Sequence, residues 1–248
     1  MKGNSFCSIV LDSIDSTNSY ARRIIDNGQY QQGIMVVAAE QQTSGRGMQG
    51  NHWESARGEN LTFSIICQPE GLCASRQFVV SEAIALSIKA ALGKYADGIS
   101  IKWPNDIYWN DSKLGGILIE CDLSGKMISN CIIGVGINVN QTVFISNAPN
   151  PVSLKNITGN AHDRNAILTD IASHFAQMLE CVGSGGEEQI HSIYLDSLYR
   201  KHGFYAYEDA EGRFMAEILD VEPAGYLILN DTQGKRRRYE FKEVKFIL

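Results

Sequence analysis

The sequence has no Cys-x-x-Cys pair and no cysteine-histidine grouping at zinc spacing; its six cysteines stand scattered at positions 7, 67, 73, 121, 131 and 181. Without such spacings they read as reduced, mostly structural thiols of a cytosolic protein. No apolar run approaches the roughly 18 residues that a membrane span needs, and residues 1–12 lack the apolar stretch of a signal peptide. The expected place of work is the cytoplasm, with no membrane partner. An excess of positive charge is missing too: 22 Lys and Arg against 28 Asp and Glu leave a net charge of -6, which argues against a surface adapted to coat nucleic acid. Internal repeats and low-complexity tracts are absent. So is a Gly-x-x-x-x-Gly-Lys-Ser/Thr loop, which speaks against a P-loop nucleotide site. Gly134-Val135-Gly136 imitates a dinucleotide fingerprint, but a third glycine is missing and the pair lies inside an apolar run instead of opening a helix.

What is present is the composition of a globular enzyme: 248 residues, 44% hydrophobic and 20% charged, enough to bury a full core. Short runs rich in β-branched residues predict strands at 7–11, 34–38, 61–67, 99–103, 116–121 and 127–139. Ser16-Thr17-Asn18 offers N-cap side chains for a helix running to about Asn27, with Gly28 as its stop. Apolar residues recur at helical spacing over 76–94, and two further helices are expected at 164–182 and 187–199, separated by Gly183-Ser184-Gly185-Gly186. This mixture lacks regular βαβ alternation, so the fold class is α+β. After Lys201 the pattern changes to short strands at 204–207, 213–221, 226–230 and 237–247, broken by turn residues, which suggests a small appended β-barrel.

Three stretches carry candidate chemistry. Residues 41–53, with Gly45-Arg46-Gly47, Gly50 and Trp53, form a glycine-rich loop between two strands. Such a loop can bring backbone N-H groups and a guanidinium to a phosphate and an aromatic face to a base; taken alone it reads more readily as a flexible surface loop. Lys102-Trp103-Pro104-Asn105-Asp106 puts a lysine where a strand meets a turn, able to stabilise a phosphoryl transition state, or standing as a bystander to a Pro-Asn turn. Lys113-Leu114-Gly115-Gly116 opens a strand whose glycines admit a ligand or simply mark a twisted start.

In this order and spacing, Ser16-Thr17-Asn18, Gln42, Gly45-Arg46-Gly47 with Gly50 and Trp53, Lys102-Trp103-Pro104-Asn105-Asp106, Lys113-Leu114-Gly115-Gly116-Ile117 and Gly134-Val135-Gly136-Ile137-Asn138 resemble the motifs of biotin protein ligases. The resemblance spans essentially the whole chain. It implies a central mixed sheet packed with helices, as in class II synthetases and biotin-lipoate ligases, over residues 1–200, and an SH3-like β-barrel over 201–248. It also implies that ATP and biotin are substrates, that Mg²⁺ accompanies the triphosphate without a dedicated protein metal site, and that biotinyl-5'-AMP is transferred to a lysine of a biotin carboxyl carrier domain. Lys102 and Arg46 would be catalytic. Ser16, Thr17, Asn18, Gln42, Gly45, Arg46, Gly47, Lys102 and Gly116 would bind biotin. Arg46, Met48, Trp53, Asn105, Lys113 and Asn138 would bind the nucleotide. No enzyme nucleophile is needed, which accords with the lack of a Ser/His/Asp or Cys/His constellation.

The sequence departs from the family pattern in its loop: Met48, Gln49 and Asn51 stand where fully basic members carry arginine. That predicts looser retention of the adenylate. With the first predicted strand so close to Met1, the chain resembles the monofunctional form without a DNA-binding domain, and Lys235-Arg236-Arg237-Arg238 reads as a solvated turn, so no specific DNA binding is expected. Sheet-edge homodimers occur in the family. A lipoate ligase would show an Arg-Arg-x-x-Gly-Gly-Gly loop, which the sequence lacks.

Overall fold

The computed structural model describes residues 6–145 and 150–247, with the side chain of Gln49 outside the described part. Seven strands form one sheet: β1 (Cys7–Leu11), β2 (Met35–Ala39), β3 (Leu61–Cys67), β4 (Ile99–Lys102), β5 (Asp106–Trp109), β6 (Ser112–Ser124) and β7 (Met127–Ile137). Their spatial order is β1-β2-β3-β7-β6-β5-β4, and only the β1 and β2 pair is parallel. This is the mixed sheet expected of the α+β class.

Alternation along the strands divides the core between two faces. Val36, Ile65 and Ile133 point into the main core, whereas their neighbours Val37, Ile66 and Ile132 meet Ala21 and Ile24 of α1 (Thr17–Asp26). On the main-core face lies α2 (Phe78–Leu92), buried on nearly every side because α4 (Arg164–Gly183) and α5 (Glu187–Asp196) cover it from behind. An all-round apolar helix is what a sandwiched position demands. The 164–182 reading matches α4 closely, and Asp163 caps it by accepting Asn165 N–H (2.8 Å) and Ala166 N–H (3.3 Å).

The second sheet is antiparallel, ordered β11-β10-β9-β8-β12, from β8 (Tyr205–Asp209), β9 (Gly212–Val221), β10 (Leu227–Asp231), β11 (Arg236–Tyr239) and β12 (Lys245–Phe246). It docks on the main body where Gly225, at φ +97, comes so close to Phe78 that a Cβ would lie 2.8 Å from the ring. Trp103 Nε1 donates to Gly225 O at 3.0 Å in the same junction. The strand expected at 237–247 is therefore two short strands, and the chain between them turns back towards the main sheet.

The expected Pro104-Asn105 turn is the bend of a hairpin, with β5 pairing back on β4. One further expectation needs correction: β6 begins at Ser112 instead of 116. β5 is not evident in the sequence pattern because it is short and bounded by Asn110 at φ 47. The short helix α3 (Leu154–Thr158) is an element the sequence pattern does not announce; Ser153 and Asn156 form its capping box.

Candidate active site

A cavity of 630 Å³ is lined by the start of α1, the loop after β2, the β4–β5 turn, parts of β6 and β7, and Phe241, Lys242, Val244, Lys245 and Phe246 from the turn before β12 and from β12 itself. Among the described residues, five cationic side chains, Arg46, Lys102, Lys113, Lys242 and Lys245, line it against one carboxylate, Asp106. In a protein of net charge -6 this is a concentrated positive site.

Lys102 ends β4 and faces Asp106 across the hairpin. Its Nζ donates to Tyr108 Oη at 2.9 Å and lies 4.6 Å from the Tyr108 ring centre and 5.3 Å from that of Phe246. Burial lowers its pKa below the usual lysine value; Asp106 opposes the fall, while Lys113 and Arg200 add to it. The Lys113 ammonium lies 2.6 Å from Asp106 Oδ1. Asn105 Nδ2 donates to Ile117 O at 2.7 Å, clasping the hairpin turn onto β6 beside the cavity.

At the start of α1 the capping reading is not realised. Ser16 occupies the N-cap position but makes no side-chain capping bond. Gln42 takes that part from a distant loop, its Oε1 accepting from Thr17 N–H at 2.8 Å and from Thr17 Oγ1 at 3.1 Å. The Ser16 side chain is left to the cavity wall. Asn18 is fixed from three sides: Nδ2 donates to Glu120 Oε2 (2.8 Å), Oδ1 lies 2.6 Å from Ser64 Oγ, and β7 passes close beneath at Gly134. Only glycine fits there, because a Cβ would stand 2.3 Å from Asn18 Oδ1.

The glycine loop folds back on itself, Gly47 N–H donating to Asn51 O (2.7 Å) and Trp53 N–H to Gly45 O (3.1 Å). Gly136 on β7 leaves a slot for the Trp53 indole, since a Cβ there would lie 2.3 Å from its Cε2. Arg46 points to β6, its Nη2 2.6 Å from Glu120 Oε1.

The expected biotin residues Ser16, Thr17, Asn18, Gln42, Arg46, Gly47, Lys102 and Gly116, and the expected nucleotide residues Met48, Trp53, Asn105 and Lys113, thus line one cavity. Gly45 and Asn138 stand outside its wall. A Cβ at Gly45 would lie 2.6 Å from Trp53 O, so this glycine closes the loop. Asn138 is 4% exposed, and its Nδ2 donates to Val152 O at 3.1 Å, pinning the chain after β7.

The sequence signature of the biotin/lipoate A/B protein ligases matches residues 10–138, a span that holds all of these motifs. The chain belongs to the biotin/lipoate A/B protein ligase family. It is 30% identical to the biotin--[acetyl-CoA-carboxylase] ligase of Paracoccus denitrificans over 92% of this chain and 95% of that one. It is 31% identical to the bifunctional ligase/repressor BirA of Bacillus spizizenii, over 93% of this chain and 71% of that protein. A solved biotin protein ligase from Aquifex aeolicus, in complex with biotin and ATP, matches with TM-score 0.77 at 23% identity, over 97% of this chain and 99% of that one, a likeness of fold.

Family motifs did not point to Ser64, Tyr108, Glu120 or the segment 241–246. Ser64 and Glu120 sit mid-strand, where polar side chains in apolar runs were the available signal. Phe241-Lys242 and Lys245-Phe246 pair aromatic with cationic residues at the chain's end, a pattern that a strand reading hides.

Proposed function

We propose that the protein is a biotin protein ligase, with ATP and biotin as substrates and biotinyl-5'-AMP as the intermediate. The observation that carries this reading is the cationic cavity that gathers the family motifs around Lys102. Its volume is that of a small-molecule site. Joining a carboxylate to a triphosphate requires two anions to touch, and fixed positive charge offsets their repulsion.

In this reading the biotin carboxylate oxygen attacks the α-phosphorus, the bond to the β-phosphate oxygen breaks, and pyrophosphate leaves. Lys102, held by Tyr108 and drawn below its ordinary pKa by burial, stabilises the oxygens between which the bond forms. Arg46 and Lys113 hold phosphate oxygens. Ser16, Thr17, Asn18 and Gln42 supply polar contacts for the ureido ring, and Trp53 covers the adenine. Among the described residues no group of three or more His, Cys, Asp or Glu could hold a metal, and Asp106 is engaged by Lys113. On this reading Mg²⁺ would be carried by the triphosphate oxygens. The neutral amine of an acceptor lysine then attacks the acyl carbonyl, AMP leaves, and the amine proton passes to solvent.

The acceptor is a biotin carboxyl carrier domain, residues 1–200 form the catalytic unit, and residues 201–248 form an SH3-like unit that also completes the cavity wall. The cytoplasm is the compartment of this chemistry; no helix among the described residues is long and apolar enough to cross a membrane. Specific DNA binding through Lys235-Arg236-Arg237-Arg238 is disfavoured. Arg237 is engaged by Asp209, Glu211 and Asp231, and Arg238 by Glu222. The test is ATP/pyrophosphate exchange with biotin or lipoate, followed by mass analysis of a carrier domain. Exchange and acylation with biotin alone are expected; exchange with lipoate alone would overturn the substrate assignment.

A further inference from the structure

We propose that Glu120 is a positioning residue that presents Arg46 to the phosphate in the adenylating step, an inference that rests on the ligase reading above. Glu120 is not part of the cavity wall; it stands behind Arg46 on β6. Its two oxygens serve different partners: Oε1 takes Arg46 Nη2 at 2.6 Å, and Oε2 takes Asn18 Nδ2 at 2.8 Å. A carboxylate this near an anion site would repel the substrates unless its charge had another use. Here it pairs with an arginine, whose planar fork carries five N–H donors, so that one nitrogen can rest on Glu120 while others remain for a phosphate.

The carboxylate is itself held in register. Asn18 cannot follow it freely, because Asn18 Oδ1 lies 2.6 Å from Ser64 Oγ and Gly134 lies directly beneath. Ser64 Oγ in turn lies 2.8 Å from Thr17 Oγ1, which donates to Gln42. A continuous polar chain therefore runs from Gln42 through Thr17, Ser64, Asn18 and Glu120 to Arg46. It ties the residues assigned to biotin to the guanidinium assigned to phosphate. Arg46 belongs to a loop, and its half-exposed side chain would otherwise sample many rotamers before meeting ATP. Glu120 removes that search, and does so only while Asn18 is seated.

Glu120→Gln separates the two contacts, since the amide oxygen can still accept from Asn18 while the negative charge facing Arg46 is gone. The expected result is a KM for ATP raised by about fivefold, the scale of a half-exposed ion pair. Biotin affinity measured by calorimetry without ATP should stay within about twofold of wild type. In an Arg46→Ala background the same substitution should leave the KM for ATP unchanged, because the residue acts through Arg46. An unchanged or lowered KM for ATP in Glu120→Gln, an effect that persists without Arg46, or an equal loss of biotin affinity would each overturn the proposal. Thermal melts of each variant separate loss of fold from loss of positioning. A wild-type protein without biotin-dependent exchange would bring down the ligase reading and this inference together, whereas normal wild-type exchange with no ATP effect in Glu120→Gln would bring down only the latter.

Discussion

Gly134 and Gly136 stand two residues apart on the same face of β7, yet alanine at each should damage a different half of the site. At Gly134 the new Cβ would meet Asn18 Oδ1 at 2.3 Å, well inside the roughly 3.5 Å of ordinary contact, so the side chain must retreat by about 1 Å. Asn18 cannot do so cheaply, because its bonds to Glu120 and Ser64 must stretch or break. Two hydrogen bonds at about 0.5–1.5 kcal/mol each give about 1–3 kcal/mol. At Gly136 the Cβ would meet the Trp53 indole at an equally short 2.3 Å. The indole Nε1 has no hydrogen-bond partner among the described residues, so the ring can leave its slot without breaking a side-chain hydrogen bond. Calorimetry with biotin and pyrophosphate exchange at varied ATP read the two halves separately. Gly134→Ala should weaken biotin binding by about tenfold or more, the equivalent of about 1.4 kcal/mol. Gly136→Ala should raise the KM for ATP while leaving biotin binding within about twofold. If both variants affect the same substrate, or if Gly134→Ala binds biotin as the wild type does, the assignment of the two glycines is wrong.

His191 joins three elements, its Nδ1 2.7 Å from Glu82 Oε1 on α2 and its Nε2 3.0 Å from Asp220 Oδ1 on β9. Burial alone would lower its pKa, but Glu82 and then Asp220 outweigh burial and hold it above the usual value. The folded state thus binds this proton more tightly than the unfolded chain. The resulting stability is complete below about pH 6.5 and is lost as pH rises through the folded value. Glu82, raised by its own burial against the pull of His191, acts in the same direction, and the buried Tyr194 hydroxyl lies in its field. The wild-type melting temperature should therefore fall with rising pH across that window, and His191→Gln should flatten the slope; an unaltered slope refutes the assignment. Met48→Arg restores a cation to the loop and should slow release of biotinyl-5'-AMP by about fivefold, read by chasing preformed adenylate from the protein. Equal release rates would show that the loop's missing charge does not govern retention.

The strands flanking the site were legible because Val, Ile and Leu repeat within short bounded runs, and the motifs were legible because glycines and cations cluster at their ends. Asn138 illustrates the limit. Its motif suggested a nucleotide contact, but the linear sequence does not reveal that its Nδ2 serves the carbonyl of Val152. The exchange of capping duty from Ser16 to Gln42 was hidden for the same reason, since it depends on two segments 25 residues apart meeting in space. Likewise, the reading of 237–247 as one strand concealed the turn that brings Phe246 over Lys102. Local propensity specified the elements; contacts between elements decided which side chains were left over for chemistry.

The most direct test of the account is biotin-dependent ATP/pyrophosphate exchange by Lys102→Ala beside the wild type, with melting curves to show that both are folded. Loss of the ammonium that stabilises the joining oxygens should lower exchange by at least about 100-fold. Exchange at the wild-type rate in a folded Lys102→Ala protein would contradict the central role given to this lysine.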